Sequence, residues 1–131
     1  MGDFWPGNVA VAVDEEGKLK EINVLDWELC KLGLAGMDVG QFSAELYLLT
    51  RFNGEVCGET GRVMMECFLE EYQPTEGEVR RAGVHVGSHL VVIPSFTVKG
   101  TSEIRRAVAA EGIEVMEYPE KGIIYELRHG K

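Results

Sequence analysis

Lys99, Gly100, Thr101 and Ser102 stand together where a helix should begin, and Arg105 follows one turn later. An ammonium, a glycine that lets a ligand approach the backbone, two hydroxyls and the free N–H groups of a helix start suit a phosphate or a carboxylate. Neither the Walker A pattern nor the dinucleotide fingerprint is present, so the pattern points to a small anionic metabolite of unspecified kind. The competing reading is that Thr101 or Ser102 only caps the helix while Lys99 faces water.

His85 and His89 are the second candidates, as proton carriers, because the ordinary pKa of histidine lies near neutrality. On a helix their spacing would put both rings on one face, ready for a metal. Gly83 and Gly87 argue against a helix here. An extended segment would hold the rings about 13 Å apart, and zinc would need further ligands from elsewhere. The alternative is a pair of hydrogen-bonded structural histidines. Cys57 lies in the glycine-rich run 54–61 between Glu55 and Glu59, whose charges disfavour a thiolate, so it reads as inert. Phe4-Trp5-Pro6 reads as packing against the core or a neighbouring subunit. No motif names a cofactor.

The elements that must hold these residues follow from periodicity. Val9, Val11 and Val13 alternate along a strand, Asp14-Glu15-Glu16-Gly17 is a turn, and Lys18 to Val24 returns as a hairpin partner. Asp26 is a candidate N-cap for a short helix through Leu29 and Leu32. Residues 39–52 keep helical period, although the segment after Tyr47 is also strand-like and Asn53-Gly54 is both a hairpin signal and a helix stop. Thr60 to Tyr72 reads as a helix, and Thr75 with Glu78 as a capping box for a short helix ending at Gly83. The apolar run from Leu90 to Phe96 reads as a buried strand. A helix from Thr101 to Glu111, a strand from Ile113 to Tyr118 and its hairpin partner from Ile123 to Leu127 complete the chain. The expected fold is α+β over one domain, 1–131: a mixed sheet with an N-terminal hairpin, two to three helices and a C-terminal β-α-β-β unit. The alternative class is α/β.

Composition narrows the function. The 131 residues carry 22 acidic against 13 basic side chains, a net charge of −9, without a basic stripe. Such a surface repels a nucleic-acid backbone and an anionic membrane. No run approaches the roughly 18 apolar residues that span a bilayer, and the N-terminus does not resemble a signal peptide. With three cysteines and no C-x-x-C pair, the expectation is free thiols, buried as small apolar residues, in a cytoplasmic protein. Only three Asn and two Gln lean toward a heat-adapted source. Two functions fit: an enzyme or ligand-binding domain for a small anionic metabolite, or a non-catalytic accessory or regulatory subunit acting through protein contacts. The apolar hairpin strand favours a homo-oligomer in either case.

Overall fold

The computed structural model describes residues 1–57, 59–93 and 101–129. Their fold is α+β, a two-stranded antiparallel sheet and five α-helices. Strands β1 (Val9–Val13) and β2 (Leu19–Val24) pair with Val9 opposite Val24 and Val11 opposite Ile22. Asp14 closes the turn, its Oδ1 accepting from the backbone N–H groups of Glu16 and Lys18 at 3.0 and 2.8 Å.

Helix α1 (Ala35–Cys57) contains the stretch read as helical from 39 to 52 and breaks regularity at Asn53. Helix α2 (Thr60–Tyr72) ends with Gln73 in the left-handed conformation. Helix α3 (Glu76–Val92) starts on the expected capping box: Thr75 Oγ1 accepts from Glu78 N, and the Glu78 carboxylate accepts from Thr75 N at 2.8 Å. Helix α4 (Ser102–Glu117) is capped by Thr101, whose hydroxyl accepts from Ile104 N at 3.4 Å, and α5 (Ile123–His129) follows a short turn at Pro119–Lys121.

The mixed sheet and the C-terminal β-α-β-β unit are not what these residues form, and with them goes the α/β alternative. Leu90 to Val92 are the last turn of α3, Ile113 to Glu117 belong to α4, and Ile123 onward is α5. A short apolar run is compatible with a strand or with a buried helix turn, and periodicity alone does not separate them. Leu90, Val115 and Ile124 sit in the core between helices. The segment 94–100, including the rest of the expected buried strand, lies outside the described residues. The short helix after Asp26 does not form either. Asp26 has φ of 60°, whereas an N-cap residue takes extended backbone, and Leu25, Leu29 and Leu32 stay exposed.

Glycine explains the longest misreading. Gly87, read as evidence against a helix, and Gly112, directly after the expected helix end at Glu111, lie inside α3 and α4 where the two cross. A Cβ on Gly87 would fall 2.5 Å from the carbonyl oxygen of Gly112, and one on Gly112 would fall 2.5 Å from that of Gly87. Each glycine costs its own helix about 1 kcal/mol, and the close crossing it permits offsets that cost. Gly40 does the same between α1 and α3, where an added Cβ would lie 2.7 Å from His85 Cβ and 2.8 Å from the Ala82 carbonyl. Around these contacts Val39, Phe42 and Leu46 of α1, Met65 and Leu69 of α2, Val79, Val86 and Leu90 of α3, Val108 of α4 and Ile124 of α5 form one apolar core.

Candidate functional site

The segment 1–8 runs along the start of α1 and feeds β1. Asp38 Oδ1 accepts from the Gly2 N–H at 2.7 Å. Phe4 stacks on Phe42 with ring centroids 4.8 Å apart, and Phe68 tilts against both. Between these anchors stands Asp3. Its Oδ1 accepts from Gln41 Nε2 at 2.7 Å, and its Oδ2 accepts from Asn8 Nδ2 at 3.2 Å. Asn8 is buried and also donates from Nδ2 to the Asp3 carbonyl at 3.0 Å. Neither bond engages its Oδ1.

The hairpin then returns the chain to the same place. Leu25 N donates to the Asn8 carbonyl at 2.8 Å, so Asp26 emerges beside the end of the segment that began with Asp3. Its left-handed backbone is unusual for a residue with a Cβ, and such positions gather at functional sites. Trp27 Nε1 donates to the Val24 carbonyl at 2.6 Å and pins the turn from the far side. Asp3 and the buried Asn8 are thus bonded to each other at the open end of the hairpin, and Asp26 follows the residue bonded to the Asn8 carbonyl.

A hollow of about 240 Å³ lies against this segment, lined by Gly2, Lys31, Leu34, Met37 and Asp38. It shares Leu34 and Met37 with a larger one of about 510 Å³, into which Arg80, Arg81, His85 and Ser88 contribute. A third, of about 360 Å³ on the other side of α3, is bordered by Tyr47, Glu111, Glu114 and Glu126. There the Tyr47 hydroxyl donates to Glu111, and burial followed by that carboxylate pushes the phenol well above its usual range.

The expected residues distribute differently. His85 and His89 share one face of α3, with ring centroids 6.2 Å apart, which corrects the expectation of widely separated rings. His89 Nε2 pairs with Glu45 Oε1 at 2.8 Å. His85 is half-buried, and burial, then the neighbouring His89, lowers its pKa below 6.5. Thr101 caps α4, Ser102 is that helix's first residue and Arg105 lies one turn on, while Lys99 and Gly100 fall outside the described residues. Cys30, Cys57 and Cys67 are free, as expected, but Cys30 and Cys67 are exposed rather than buried. Among the described residues no group of three His, Cys, Asp or Glu side chains is placed to hold a metal, and no helix is long and apolar enough to cross a membrane.

Sequence reading missed Asp3, Asn8 and Asp26. The available signal was an Asp followed five positions later by Asn at the mouth of a hairpin, with a second Asp directly after the returning strand.

No protein-family profile matches the chain. Two curated relatives do. The 4-hydroxytryptamine kinase of Psilocybe cubensis is 36% identical over 118 residues, covering 86% of this chain and 32% of its own. That of Psilocybe cyanescens is 32% identical over 118 residues, covering 87% and 32%. The chain thus spans about a third of the length of the relatives it matches.

Proposed function

We propose that this chain carries the catalytic carboxylate and the cation-binding oxygens of a phosphoryl-transfer enzyme acting on a hydroxyl of a small molecule. The observation that carries the reading is the Asp3–Asn8 pair at the hairpin's open end, with Asp26 directly after the residue bonded to the Asn8 carbonyl. In protein kinases a catalytic Asp precedes an Asn by five positions, and a second, cation-binding Asp follows later in the chain. The order and the first spacing recur here. The flanking residues differ: Met1-Gly2 precede Asp3, and Trp27-Glu28 follow Asp26. Similarity to two kinases over most of this chain supports the same class.

Asp3 takes the proton of the acceptor hydroxyl as its oxygen bonds to the terminal phosphorus of a nucleoside triphosphate. The bond from that phosphorus to the bridging oxygen breaks, and the diphosphate leaves with the electron pair. Asn8 Oδ1 and the Asp26 carboxylate are hard oxygen donors that fit a magnesium ion, which commonly binds one or two carboxylates together with the substrate phosphates and would neutralise their charge. The reading keeps a phosphate-bearing small molecule as the ligand but assigns it to the hairpin end rather than to Lys99, Gly100, Thr101, Ser102 and Arg105. The hollows beside Gly2 and Met37 offer space for the acceptor.

The test is transfer of labelled γ-phosphate to hydroxylated aromatic amines, 4-hydroxytryptamine among them, by the wild-type chain and by Asp3→Asn and Asp26→Asn. Transfer that both substitutions abolish supports the reading, and a wild type without transfer overturns it. Manganese should broaden NMR signals of Asn8 and Asp26 before others.

A second reading has its own observation. Val11, Val13, Leu19 and Ile22 of the hairpin are each more than half exposed, an apolar surface of the kind used in contacts with another chain or domain. A homo-oligomer or an accessory role through such contacts would show as a concentration-dependent mass.

A further inference from the structure

We infer that Gln41 is the residue that positions the Asp3 carboxylate, an assignment that rests on reading Asp3 as the proton acceptor. An ionised carboxylate only accepts hydrogen bonds, so the group facing Oδ1 at 2.7 Å is the amide nitrogen Nε2 and not the amide oxygen. Asp3 sits in a segment without regular secondary structure, and free rotation about its side-chain bonds would sweep its oxygens over several ångströms. Two donors remove that freedom. Asn8, from the same segment, reaches Oδ2 at the longer distance of 3.2 Å. Gln41 is the donor that comes from helix α1.

Its own place is fixed from three sides. Gly40, immediately before it, is the contact that seats α1 on Ala82 and His85 of α3. Phe42, immediately after it, is buried and stacked on Phe4. Asp38, one turn earlier, accepts from Gly2. Within one turn and a residue, α1 therefore grips the backbone before Asp3, its carboxylate, and the ring after it. The position of the carboxylate is thereby tied to the α1–α3 packing.

A neutral amide suits the task. A lysine or arginine there would hold the carboxylate equally well but stabilise its charge more and weaken it as a base. With Oδ1 held by the shorter bond, Oδ2 is the oxygen that meets the hydroxyl proton. Reactions that depend on near-attack geometry lose about a hundredfold for displacements near 1 Å.

Two measurements decide the matter. In phosphoryl transfer, Gln41→Leu should lower kcat ten- to a hundredfold with KM for the nucleotide within twofold. Gln41→Lys, which keeps a donor, should recover part of that loss, and Gln41→Glu should fall below Gln41→Leu. A change confined to KM, or equal activities for the Leu and Lys variants, overturns the assignment. The second measurement needs no activity: a double-mutant cycle in urea on the chain itself with Asp3→Ala. Gln41→Leu should shift the unfolding midpoint clearly in the wild-type background and little in the Asp3→Ala background, and equal shifts overturn the coupling. A wild type that transfers no phosphate refutes the phosphoryl-transfer reading, whereas a cycle without coupling refutes the role of Gln41.

Discussion

Residues 1–34 and the helices after them are built on opposite terms. The helical part buries a core of large apolar side chains: Leu46, Val86, Leu90, Val108 and Ile124 are at most 2% exposed. In the first 34 residues most of them are outside, with Val11 at 61%, Ile22 at 56% and Trp27 at 56%. The hairpin is a two-stranded sheet, marginal by itself in water. It is joined to the helices through Phe4, Val9, the Gln41–Asp3 bond and the Asp38–Gly2 bond. Yet Asp3, Asn8 and Asp26 belong to this lightly held part. On the proposed reading, the helices supply stability and the segment they grip supplies the chemistry.

If that division is right, substitutions in the two regions should separate activity from stability. The largest effect belongs to Asp3→Asn, which keeps the side chain's shape and one acceptor oxygen but removes the base: kcat should fall about 10²- to 10⁴-fold while the urea midpoint shifts less than it does for Gly87→Ala. A parallel loss of stability would break the comparison. Gly87→Ala should do the reverse. Its methyl would meet the backbone of Gly112 and Met116, so urea unfolding should show a loss of roughly 1–3 kcal/mol, with manganese still broadening Asn8 and Asp26. Thr75→Ala removes one half of a complete capping box and should cost about 1 kcal/mol.

Smaller effects come from protons. His85 has its pKa lowered in the fold, chiefly by burial and then by His89, while Asp38 acts against the shift. The unfolded chain therefore takes up a proton near pH 6.5 that the folded chain resists, and stability should fall as pH drops below 6.5. Replacing His85 by Gln should flatten that slope in a series of urea titrations. Glu78 is lowered by the Thr75 backbone and hydroxyl, so its contribution is present above about pH 4.5 and is lost as pH falls further. That lower step should vanish in Glu78→Gln.

Local signals carried the parts governed by local physics. The hairpin, its Asp14 turn, helix α2, the Thr75–Glu78 box and the Thr101 cap all follow from spacing of a few residues. The last third did not, because Gly87 and Gly112 look like helix breakers until each is seen as the other's neighbour. Likewise Ile113 and Val115, two residues apart, would share one face of a strand, whereas on α4 the first is exposed and the second buried. The site was hidden for a related reason. Asp26 resembles a helix cap by residue type, and only the antiparallel return of β2 brings it to Asn8. His85 and His89 were noticed for their chemistry, and the structure gives His89 a carboxylate partner in Glu45.

The hairpin also sets how the molecule can change in evolution. Asn8 and Asp26 flank the open end, so their meeting depends on where pairing starts and not on where the ribbon turns. Adding a residue to each strand near Asp14 would lengthen the ribbon and leave Val9 opposite Val24. Adding one residue to a single strand would shift every later side chain to the other face. The existing irregularity between Ala12 and Val13 sits at the turn end, away from Asn8. Length variation should therefore be tolerated at the tip in matched pairs and resisted at the base, as a zip fastener tolerates a longer tape but not a skipped tooth beside its stop.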